Sequence, residues 1–125
     1  MIVFCAADLI WATRIKSTAD SLGIPCRPAR NLEMFRARLA DSPVRALIVD
    51  LEAGEVGLEL VRAARANGGI RVVVFGPHVA TEAFAAARQA GADAAMARGA
   101  FWAKLPAVLQ SLASNPDQVG DDLHE

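Results

Sequence analysis

Between Ile2 and Leu112, short apolar runs alternate five times with segments whose apolar residues recur every three or four positions. Few architectures accept that pattern. Strict β-α alternation lays parallel strands side by side and covers both faces of the sheet with helices. Val44–Leu51 is the firmest of the apolar runs, and it is almost continuously apolar, as a strand covered on both sides must be. Ile2–Ala6, Ile24–Pro28, Ile70–Phe75 and Asp93–Ala97 read as the other strands. Pro25 and Pro28 place the second of these at an edge, because proline cannot donate to a ladder.

The helical segments carry their own punctuation. Trp11, Ile15, Ala19 and Leu22 form one face, and Gly23 stops that helix. Asn31 is placed to cap a helix bearing Leu32, Phe35 and Leu39. Leu60, Val61 and Ala64 mark the third helix, and Thr81–Gln89 the fourth. The last carries Leu105, Val108, Leu109 and Leu112, and Pro106 requires it to begin near Trp102–Leu105. Five units imply a flavodoxin-like doubly wound α/β domain over residues 1–113, with strand order 2-1-3-4-5; a barrel would need eight units. Residues 114–125 hold four acids and no Lys or Arg, and are expected to form a disordered acidic tail.

Composition narrows the function classes. The net charge of −1 argues against a nucleic-acid binder. No run is long enough to span a bilayer, and the N-terminus lacks the basic region of a signal peptide, so a cytoplasmic protein without membrane contact is expected. Cys5 and Cys26 make no disulfide framework; if the strand order holds they fall on neighbouring strands. His78 and His124 lack the spacing of a zinc site, so no metal is expected. No glycine-rich phosphate loop and no serine elbow is present, so no enzyme is expected.

In a doubly wound sheet, functional groups gather beyond the carboxyl ends of the strands. Asp50 is the one carboxylate ending a central apolar strand. The stretch Ala46-Leu47-Ile48-Val49-Asp50-Leu51, followed by Gly57-Leu58-Glu59-Leu60, resembles the segment around the phosphoacceptor aspartate of response-regulator receiver domains. Gln89-Ala90-Gly91-Ala92-Asp93-Ala94 resembles the turn that precedes their fifth strand. The resemblance covers residues 1 to about 113.

It implies a set of roles, and most of them are vacated here. A receiver binds Mg²⁺ through an acidic pair after its first strand. That pair falls on Ala6-Ala7 or on Ala7-Asp8, so at least one carboxylate is lost. Asp8 and Glu52 are the acidic remnants of the pocket, and Asp50 holds the phosphoacceptor position. Gly76 replaces the hydroxyl residue, Ala95 the aromatic switch, and Arg98 the lysine. Arg98 keeps the charge as a broad fork, and Asp50 is expected either to cap the sheet edge or to pair with it. These substitutions imply a degenerate, stand-alone pseudo-receiver; a bacterial origin is expected from composition, with 26 alanines and 11 Arg against 2 Lys. It would act by contact with a protein of a signalling pathway or with a second copy, as a homodimer. The first alternative is a phosphorylatable receiver using Asp50 with Mg²⁺ as its only cofactor. The second is a small-ligand-binding domain.

Two further expectations concern individual side chains. Trp102 falls off the apolar stripe of the last helix and is expected to be half exposed. With Phe101, Arg36 and Arg38 it forms the candidate contact surface. Replacement of the buried Asp50 by Asn is expected to be neutral or stabilising, because the amide carries no charge to desolvate.

Overall fold

The structure is a computed structural model and describes residues 1–114. Apart from Ser114, the expected acidic tail lies outside the described residues. The elements run β1 (Ile2–Cys5), α1 (Leu9–Ser21), β2 (Cys26–Pro28), α2 (Leu32–Asp41), β3 (Ala46–Asp50), a 3-10 turn (Leu51–Ala53), α3 (Glu55–Asn67), β4 (Arg71–Gly76), α4 (Thr81–Ala90), β5 (Ala94–Ala97), α5 (Arg98–Ala103) and α6 (Leu105–Ala113). The five strands are all parallel, in the order β2-β1-β3-β4-β5. No helix among the described residues is long and apolar enough to cross a membrane.

The continuous apolar strands are explained by two cores. Successive residues of a strand point to opposite faces. Ile2, Phe4, Ile48, Val73 and Phe75 face a layer made by α1, α5 and α6, where Ile15, Phe101, Leu105 and Leu109 are buried. Val3, Leu47, Val49, Val72 and Val74 face α2, α3 and α4, through Phe35, Leu60, Val61 and Ala87. Every position of a central strand is therefore covered, and alternation vanishes from the sequence.

Caps set the entry angles of the helices. Asp8 accepts from the Trp11 N–H at 3.0 Å and Asn31 from the Met34 N–H at 2.8 Å. Gly23 follows α1 at φ +70°, the left-handed geometry that ends a helix. At the far end of the sheet, Arg71 on β4 donates from Nη2 to the carbonyls of Ser111 (2.8 Å) and Leu112 (3.2 Å). A cation on the orphan carbonyls of a helix C-terminus ties α6 to the strand it covers.

Two sequence expectations need correction. β2 is shorter than Ile24–Pro28, since only Cys26–Pro28 meet β1 in register. The last helix begins at Arg98, directly after β5, and breaks at Lys104. Pro106 causes the break: inside a continuous helix its ring would collide with the carbonyl four residues back, whereas in the first turn of α6 it costs nothing. The two cysteines fall on neighbouring strands, as expected, but their side chains do not face each other. Cys26 lies beside Ile2 in the α1 layer, and Cys5 is packed in the opposite layer, so both are free thiols on different faces.

Candidate functional site

The carboxyl ends of β1, β3 and β4 converge on Asp50. Its side chain is completely buried, and it is the one charged residue in the core among the described residues. Both carboxylate oxygens are engaged by main chain. Oδ2 accepts from the Ala7 N–H at 3.1 Å and Oδ1 from the Glu52 N–H at 3.0 Å. The second bond closes the 3-10 turn Leu51–Ala53, with Asp50 as its cap. Asp50 thus stitches the end of β3 to the loop after β1. Hydrogen bonds to main-chain N–H groups satisfy a carboxylate that burial would otherwise penalise.

The register of β1 on β3 sets which residues lie beside Asp50. Cys5 lies beside Val49, so Ala6 continues opposite Asp50, and Ala7 supplies one of its two donors. Asp8 is one step further on, exposed, and engaged as the cap of α1.

Arg98 does not pair with Asp50. Its Nη2 lies 2.8 Å from Oε1 of Glu52. The distance is that of an ion pair, but the N–H direction misses the oxygen, and the buried Nε and Nη2 have no aligned acceptor. The Glu52 carboxylate, and more weakly Asp50 and Asp8, hold the guanidinium charged above its ordinary range against the opposing effect of burial. The expected Asp50 partner is thus taken by the residue two positions on, because the turn after β3 carries Glu52 outward to meet the start of α5.

Gly76 ends β4 in the place of a hydroxyl residue, and Leu51 fills the space. A Cβ at position 76 would lie 3.2 Å from both Cβ and Cδ1 of Leu51. The pairing of Asp50 with Phe75 makes the two residues cross-strand neighbours. Sequence reasoning missed Leu51; its signal was a large apolar residue opposite a glycine in the next register position. Ala95 stands apart on β5, where a shallow cavity of about 420 Å³ opens beneath α4 among Ala95, Phe84, Arg88 and the loop residue His78. A small residue at the aromatic position leaves this space unfilled.

The residues present do not fit the Mg²⁺ that the resemblance implies. A hard cation needs several oxygen ligands. The two positions beside Asp50 are alanines, Asp8 is engaged as the cap of α1, and Glu52 faces Arg98. Among the described residues no group of three His, Cys, Asp or Glu side chains is placed to hold a metal.

The candidate contact surface separates into different environments. Trp102 is 9% exposed and belongs to the core, which overturns the half-exposed expectation. It stacks on Trp11 of α1 with centroids 4.5 Å apart, meets Phe75 and Phe101 edge-on, and is covered by Arg14. The reason is the break at Lys104. Trp102 belongs to α5, whose rotation is independent of the α6 stripe, and it points toward α1. Phe101 is fully buried and stacks on Phe75 at 4.2 Å. Arg38 donates from Nε to the Pro28 carbonyl at 3.2 Å, a tether for the edge strand. Arg36 alone is exposed. Large apolar side chains are instead exposed at Leu9, Ile10 and Val79, near the same end of the sheet as Asp50.

No protein-family model matches the sequence, and no curated protein matches it. Solved structures do. A response regulator from Thermotoga maritima superposes with a TM-score of 0.74 at 19% identity, over 91% of this chain and 97% of that one. The receiver domain of the TMAO respiratory system response regulator TorR gives 0.77 at 17% identity, over 89% and 93%. A response regulator protein from Burkholderia pseudomallei, solved with a phosphorylated aspartic acid, calcium ion and citrate, gives 0.71 at 21% identity, over 99% and 74%. At these identities the likeness establishes the fold, which is that of response-regulator receiver domains.

Proposed function

We propose that this chain is a pseudo-receiver: a signalling module that works by protein–protein contact without phosphorylation of Asp50. The observation that carries the reading is the occupation of Asp50 itself. Its two oxygens are bound by the N–H groups of Ala7 and Glu52, and the neighbouring positions that would supply further carboxylates are Ala6 and Ala7. An aspartate attacking a phosphoryl group needs an oxygen open to the incoming group, which the complete burial of Asp50 denies, and positive charge to offset what develops at the phosphorus. Here the nearby guanidinium, Arg98, is held by Glu52. Leu51 against Gly76 supports the same reading, since it occupies the space of the hydroxyl that would sense the modification. A receiver fold with a closed pocket retains its surface as the working part, and its partner is a protein of a signalling pathway or a second copy.

Intact-mass spectrometry after incubation with acetyl phosphate and millimolar Mg²⁺ tests this. No mass gain is expected. A gain of one phosphoryl group that disappears in Asp50→Asn overturns the proposal in favour of a phosphorylatable receiver.

A further inference from the structure

Two cavities near this end of the sheet share part of their lining. One, of about 360 Å³, lies between α1 and the β2 edge against Phe4, Pro28 and Ala29. The other, of about 510 Å³, opens over the ends of β1 and β3 against Ala7, Glu52 and Val56. Ala6, Leu9, Ala12 and Arg30 line both, so the two form one cleft with two chambers. Each chamber has the size of an ordinary small-molecule site. The cleft also reaches the point between β1 and β3 where the strand order reverses, at which open α/β sheets leave a crevice.

The cleft exists because of what α1 presents. Only Ile15 and Ala19 of that helix are buried, on the sheet side. The side toward β2 carries the short residues Ala12, Thr13 and Ser17, which cannot reach across to Pro28 and Ala29. The first chamber is therefore walled mainly by carbon. Leu9, at its rim, is 76% exposed, apolar area that an occupant would cover.

Charge is placed at the junction. Arg30 is exposed, borders both chambers, and has no ion pair among the described residues. The other cation on the wall, Lys16, is neutralised by Asp20 at 2.8 Å. Of the acids on the wall, Asp20 in the first chamber is matched by Lys16 and Glu52 in the second by Arg98, which leaves Asp8, on the second chamber's side, without an ion pair among the described residues. An anion is thus attracted to Arg30 and kept out of the second chamber, which directs any apolar body into the first.

We infer that this cleft binds a small amphiphilic anion, a carboxylate or sulfonate whose charge meets Arg30 and whose apolar body lies against Phe4, Leu9, Ala12 and Ala29. The inference stands apart from the phosphorylation state of Asp50 and from the contact reading.

The test is a ¹H–¹⁵N NMR titration of the full chain with sodium octanoate, and with 1-octanol as its neutral counterpart. Saturable shifts are expected at the amides of Ala12, Thr13, Ala29 and Arg30. Arg30→Ala should weaken octanoate about tenfold, the loss of one charge-assisted bond, and octanol much less. Thr13→Phe, at an exposed wall position, should weaken both while leaving the melting curve unchanged. Shifts that do not saturate, or that lie away from the cleft, overturn the site. Equal affinity for octanol and octanoate, or indifference to Arg30→Ala, overturns the anion. None of these readouts depends on mass gain or self-association, so failure here is distinguishable from failure of the pseudo-receiver proposal.

Discussion

Leu51 crowds the place from which a side chain at residue 76 would project. With a Cβ on Gly76 only 3.2 Å from Leu51 Cβ and Cδ1, the missing hydroxyl and the large residue after Asp50 are two halves of one change. Restoring the hydroxyl alone should therefore fail. Gly76→Thr is expected to cost about 1–3 kcal/mol through overpacking. Adding Leu51→Ala should recover part of that loss. Urea denaturation of both single variants and the double variant closes the cycle, and strictly additive losses would show that the two sites are independent.

Asp50→Asn is expected to destabilise by about 1–3 kcal/mol. The sequence alone pointed the other way, because an amide avoids the desolvation of a charge. The geometry reverses the sign. Asn accepts at one oxygen only, and its NH₂ must face either the Ala7 or the Glu52 N–H, donor against donor. Chemical denaturation decides it, and a more stable variant would mean that charge burial outweighs the two bonds.

Gly57→Ala should destabilise although alanine is the better helix former. Its Cβ would lie 2.7 Å from Cγ1 of the buried Val49, where α3 presses on β3. The expected loss is about 1–2 kcal/mol after the propensity gain is subtracted. A thermal melt that rises instead would show that Val49 rotates away without cost.

Trp102→Ala is expected to lose about 3–5 kcal/mol of stability, the range for emptying a large aromatic site. It should melt far lower than the wild type. Its self-association, followed by sedimentation of the folded fraction, should change little, because Trp102 is spent on Trp11, Phe75 and Phe101.

The thiols predict an alkaline limb. Burial raises Cys5 from the ordinary 9.0 to about 11, with Asp50 adding to the rise. Burial likewise raises Cys26 to about 12 against a smaller opposing pull from Lys16. The native state then holds protons that the unfolded chain releases above pH 9. The stability they contribute is full below pH 9 and is lost as pH rises through about 11 and 12. Cys5→Ala and Cys26→Ala should flatten this limb in denaturation curves taken from pH 8 upward. At pH 8 the native protein should react with a thiol reagent only as fast as it unfolds.

Much of the architecture was legible along the chain because it rests on short-range rules. The five apolar runs, the stop at Gly23 and the cap at Asn31 depend on residues a few positions apart. Even the strand order followed, since β-α units of this number close in few ways. Asp50 was visible for the same reason, as a charge at the end of an apolar strand. Its partners were not. Ala7 and Asp50 meet through the register of β1 on β3, and Leu51 meets Gly76 through that of β3 on β4. Arg98 chose Glu52 over Asp50 because the turn after β3 swings one carboxylate out and buries the other. Trp102 went inward because Pro106 broke the helix and freed α5 to rotate toward α1. Local periodicity determines which residues form a strand or a helix face. Which side chains fill one pocket is decided only when the strands are laid in register and space, once claimed by Leu51 or Trp102, is closed to anything else.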